Sequence, residues 1–88
     1  MKIVVNKCYG GFGISDAGLR LLNLENDWDI DRTDERLVEL VEGGVDIDGF
    51  CAELEVVEIP NEATDWELDE YDGWENITYV VDGKLYHA

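Results

Sequence analysis

The sequence predicts an α+β fold: a small single domain over residues 1–88, with element order β-α-α-β-β-β. Three observations carry that prediction. A β-branched run opens the chain, and two short capped segments with helical apolar spacing follow it. From Gly49 the apolar period changes to two, and Asp-Gly pairs separate the later segments. Two short helices should then pack on one face of a mostly antiparallel sheet.

At 88 residues the chain has material for one core. Apolar residues make up 45% of it, including three Trp, four Tyr and two Phe, which a disordered acidic chain would lack. Lys2 to Asn6 reads as a buried strand because Ile3, Val4 and Val5 are β-branched and bounded by a turn. Tyr9-Gly10-Gly11-Phe12-Gly13 is that turn. Ser15 is a good N-cap, and Ala17, Leu21, Leu22 and Leu24 place a short apolar stripe on a helix from Ser15 to Glu25, which Gly18 weakens. Asn26 to Asp31 reads as a loop with Trp28 and Ile30 inward. Thr33 should cap a second helix, Asp34 to Glu42, whose apolar face is Leu37, Val38, Leu40 and Val41. Gly43-Gly44 ends it.

Beyond Gly49, Cys51, Leu54, Val56 and Ile59 alternate with Glu53, Glu55 and Glu58. The Val56-Val57 doublet suggests a bulge. Pro60-Asn61 turns the chain, and Trp66 and Leu68 alternate with Asp65, Glu67 and Asp69 in a half-buried strand. Asp72-Gly73 is a turn. Ile77 to Val81, Asp82-Gly83 and Lys84 to Tyr86 form a hairpin with a favoured two-residue connection.

Charge narrows the function. The net charge is −16, from 22 Asp and Glu against six Lys and Arg. Residues 37–83 hold fifteen of the carboxylates and none of the bases, so the rest of the chain is close to neutral. Unaided binding to nucleic acid or to an anionic membrane is excluded. A basic partner, a cation or a salty medium is favoured. Cys8 and Cys51 are too few for a disulfide scaffold and suit small buried hydrophobes. Met1-Lys2 leads into a short apolar run and then glycine, unlike a secretory leader, and no stretch approaches the roughly 20 apolar residues of a membrane span. A cytoplasmic location is expected.

The string from Lys2 to Ser15, KIVVNKCYGGFGIS, resembles the opening of a family of small tailed-phage and prophage proteins, which reads much like KIVINKCYGGFGLS. The likeness continues through Asp29-Ile30-Asp31-Arg32-Thr33-Asp34, Leu37-Val38, Val56-Val57-Glu58-Ile59-Pro60 and Glu70-Tyr71-Asp72-Gly73, reaching about Glu75. Family members tend to end in a helix-like segment with basic and aromatic residues, whereas Asn76 to Ala88 here looks like strands. The resemblance implies a phage origin and a host cytoplasm, with no activity attached.

A strand, Gly10-Gly11-Phe12-Gly13 and a helix capped by Ser15 is the layout that holds phosphates on backbone N–H groups. Gly10, Gly11, Gly13 and Ser15 are thus candidate ligand-binding residues. However, Asp16 stands where a dinucleotide fingerprint needs glycine or alanine, and no Gly-Lys-Ser/Thr follows. Asp27, Asp29 and Asp31 have the first spacings of a calcium loop, but Arg32 and Val38 fail at its sixth and twelfth positions. Asp46, Asp48, Gly49 and Glu55 fit better, with Gly44 failing at the first. No metal or cofactor is expected. His87 is the only histidine, close to the chain end, and no arrangement with Cys8 is dictated, so no enzyme is expected.

The acidic strands carry the functional expectation. Residues two apart on a strand share a face at roughly 6.6–6.8 Å. Glu53 and Glu55 form one row and Asp65, Glu67 and Asp69 another, side by side if their strands pair. Like charges so placed cost stability. These residues, with Trp66, Asp72, Trp74 and Glu75, are expected to occlude a basic surface of a host nucleic-acid-handling protein, as a nucleic-acid mimic or inhibitor. Nucleotide binding at the glycine turn and salt adaptation without mimicry are the alternatives.

Overall fold

The computed structural model describes residues 1–27 and 30–88. Trp28, expected to point inward, and Asp29 of the aspartate spacing lie outside the described residues. The elements are β1 (Lys2–Asn6), α1 (Asp16–Leu21), α2 (Glu35–Glu42), β2 (Leu54–Glu58), β3 (Asp65–Tyr71), β4 (Trp74–Val81) and β5 (Lys84–His87). Class and order are those predicted. The sheet is divided in two: β1 pairs antiparallel with β2, while β3, β4 and β5 form an antiparallel meander.

The two-stranded sheet is covered on both faces, because alternate residues of β1 bury in different clusters. Val4, with Leu54 and the partly buried Val56, packs against Ile14, Leu22, Leu37, Val38 and Ile47 on the helical side. Ile3 and Val5 pack with Ile59 and Ile77, flanked by Val57, Trp66, Leu68 and Tyr79, against the meander. The Val56-Val57 doublet is therefore not a bulge. Register runs unbroken from Lys2↔Glu58 to Asn6↔Leu54, and one valine serves each core.

α1 is shorter than the expected Ser15 to Glu25, whereas α2 matches its expected span to within one residue. In α1 the Ser15 hydroxyl accepts from Gly18 N at 3.1 Å, as a cap should. The helix stops at Leu21 because Asn23 takes φ +57 and turns the chain. Gly18 is there for space: a Cβ would come within 2.7 Å of Ile14 and Ile47 side-chain atoms. In α2 the cap is Asp34, not Thr33, its carboxylate accepting from Arg36 N and Leu37 N. Thr33 instead donates from its hydroxyl (2.6 Å) and its amide (2.8 Å) to Asp31 Oδ1. Those bonds hold the Asp31 carboxyl below its ordinary range, the hydroxyl contributing most.

Asp72-Gly73 and Asp82-Gly83 both close two-residue hairpins with positive φ at each position, the mirror-image turn that matches strand twist. Gly73 has a second constraint. A Cβ there would run into the backbone amides of Gly10 and Gly11. Gly73→Ala should therefore destabilise the fold by about 3 kcal/mol, from strain and overpacking together. A lower urea midpoint at unchanged slope checks this.

Candidate protein-interaction face

The parity of β3 decides what faces water. Trp66 and Leu68 point toward the inner cluster, so Asp65, Glu67, Asp69 and Tyr71 occupy the opposite face. Across the ladder their partners are Val80, Thr78, Asn76 and Trp74, and β5 adds Leu85 and His87 beside Val80 and Thr78. At one end of this face Tyr9 packs on Trp74 and Lys7 Nζ bonds Asn76 Oδ1, whereas no described helix or strand covers the end around Thr78 and Val80. Asp65, Glu67 and Asp69 are all exposed, as is Asp72 in the turn that follows. Among the described residues none of these four forms an ion pair. Between the carboxylates and the central strand lies a dimple of about 130 Å3, lined by Asp65, Trp66, Glu67, Thr78, Val80 and Leu85. It joins an apolar floor to an acidic rim.

Glu53 and Glu55 do not join this row. They belong to the β1–β2 side, Glu55 opposite Val5 and Glu53 just before β2, so the expected side-by-side ladder does not form. β2 takes β1 as its partner because both of their faces are apolar enough to be buried. Trp66 is half-buried, packing against the inner cluster while also lining the dimple.

Glu75 is the clearest correction. It sits on the inner parity of β4 and is only 3% exposed. Its carboxylate accepts from Arg32 Nη1 at 2.6 Å, from Arg32 Nη2 at 2.9 Å and from Asn6 N at 2.7 Å. The Arg32 guanidinium also lies 3.5 Å from the Phe12 ring centroid and donates to Val4 O. Asn6, fully buried, donates to Cys8 O and Gly73 O and accepts from Glu53 N. One polar cluster thus joins β1, the glycine loop, the residue 30–34 segment and β4. A clue existed in the sequence: Glu75 shares parity with Ile77 and Tyr79.

The glycine loop serves packing. The amides of Gly10 and Gly11 lie against Gly73, Gly13 O accepts from Gly49 N at 2.9 Å, and Ser15 N donates to Ile47 O at 2.9 Å. Ile14 N donates to Asp27 Oδ2 at 2.8 Å, so a carboxylate already stands where a phosphate would bind. Ile14 N and Ser15 N are therefore engaged within the fold, and the Gly10–Gly11 backbone lies against Gly73.

The remaining candidates scatter. Asp46 accepts from Asp48 N, and Asp48 from Leu54 N. Among the described residues no three His, Cys, Asp or Glu side chains gather to hold a metal ion. Both cysteines are free thiols; Cys8 is half-buried, but Cys51 is exposed at φ +63, contrary to its expected burial. Among the described residues no helix is long and apolar enough to cross a membrane. Residues that sequence reasoning missed are Val80 and Leu85, which floor the dimple, and Tyr9, whose ring packs on Trp74 with centroids 5.1 Å apart. Set beside known proteins, the chain matches no family model, no curated protein and no solved structure.

Proposed function

We propose that this protein binds and occludes a basic surface of another protein through the outer face of the β3–β4–β5 sheet. The observation that carries the reading is the carboxylate-rimmed dimple on the uncovered end of that face. A lysine or arginine stem can lie on Val80 and Leu85 while its charged head meets Asp65 and Glu67. Asp69 and Asp72 extend the negative field along the strand and round its turn. On a host nucleic-acid-handling protein, such a row occupies the groove that otherwise holds phosphates, with salt-sensitive affinity. The resemblance of the Lys2–Ser15 string and the later segments to small phage proteins supports a host factor as the target. Binding, not catalysis, is the activity inferred.

The test is capture from host lysate at low and high salt, with Glu67→Lys/Asp69→Lys alongside. A nucleic-acid-processing protein retained at low salt, released by salt and lost with the double variant supports the proposal. Capture that the variant leaves unchanged sinks it.

A further inference from the structure

The geometry points to the Tyr9–Tyr71–Trp74 end of this face as an anchor for arginine side chains of the basic partner, an assignment that rests on the reading of the face above. Tyr71 ends the β3 row and is the register partner of Trp74 across the hairpin, so both rings share the acidic face. The Tyr9 ring packs on Trp74 from the glycine loop at an interplanar angle of 40°. Yet Tyr71 is 77% exposed and Tyr9 64%. Three neighbouring aromatic rings, two of them this open, form a contact surface rather than a core.

Charge selects the occupant. Asp69, two residues before Tyr71 on the same strand face, and Asp72, which follows Tyr71 in the turn, are both exposed, so a cation arriving at the ring meets a π face and a counter-charge together. The fold already uses this chemistry twice: Lys7 Nζ lies 5.8 Å from the Trp74 ring centroid, and Arg32 stacks on Phe12. Lys7 is committed to Glu75 O and Asn76 Oδ1, leaving Tyr71 and Tyr9 as the rings open to a partner. Arginine fits better than lysine because its planar guanidinium stacks on aromatic faces and sheds water more readily.

Octa-arginine and octalysine peptides, titrated separately by calorimetry in low salt, test the anchor. The expected result is octa-arginine binding about two- to fivefold tighter per engaged ring. Tyr9→Leu/Tyr71→Leu should remove that preference and leave octalysine affinity unchanged, while Tyr71→Phe, which keeps the π face, should retain it. Equal affinities in the native protein, or a preference that survives the double leucine variant, would overturn the anchor while leaving the electrostatic face standing. If neither peptide binds, the face and its anchor both fail.

Discussion

Glu75→Gln is expected to lower stability by about 3 kcal/mol, the usual consequence of removing one partner from a buried ion pair. Glu75 carries three hydrogen bonds from two segments, and its side chain is 5% exposed against 21% for Arg32. The amide would leave the Arg32 guanidinium without its counter-charge under the Phe12 ring and turn an N–H donor toward it. In a domain whose total stability is on the order of 5–15 kcal/mol, that is a large fraction. The melting temperature should fall by on the order of 15 °C. A double-mutant cycle with Arg32→Met should show coupling of about 1 kcal/mol or more, whereas strictly additive losses would mean the pair does not act as a unit. The exposed pairs contrast with this. Lys2 bonds Glu42 at 2.8 Å with both side chains about two-fifths exposed, and breaking it should cost little.

The second large effect is on binding. Glu67→Lys/Asp69→Lys removes two exposed carboxylates that lack a cation partner among the described residues and puts cations in their place. Stability should change by no more than about 0.5 kcal/mol, since these side chains hold nothing together and repel each other. Association with a basic protein should slow by about tenfold or more at low salt, and the difference should shrink as salt rises. The fold supplies a matched control. Glu53→Lys/Glu55→Lys changes the net charge equally but acts on the β1–β2 side. Stopped-flow association with the captured partner should show a clearly smaller loss for the control. Equal losses would mean that total charge, rather than this face, sets the rate.

Local features were readable from sequence because local chemistry fixes them. The β-branched run gave β1, Ser15 capped α1, and two Asp-Gly pairs closed two hairpins in mirror-image turns. Pairing was not readable, because it depends on which faces the whole chain can bury. The alternation in β2 and β3 suggested neighbouring acidic strands, yet β2 completes a sheet with β1 that both cores cover. The same reasoning explains Trp66, whose position opposite Asp65 and Glu67 on the strand already implied the core side. In sequence Glu75 reads as the end of the Asp72-to-Glu75 turn, whereas in the fold it belongs to β4 at the parity of Ile77. The glycine loop resembled a phosphate cradle in sequence. In the fold, Gly73 comes up against the Gly10–Gly11 backbone, Gly10 is crowded by Cys51, and Asp27 accepts from the Ile14 amide, contacts that sequence alone does not show.

The most direct measurement is an amide chemical-shift map of the protein titrated with octalysine in low salt. The account predicts the largest shifts at Asp65, Glu67, Asp69, Val80 and Leu85, the residues around the dimple and its acidic rim. Shifts centred on Glu39 and Glu42 of α2, or on Glu53, Glu55 and Glu58, or spread evenly over the acidic surface, would contradict it.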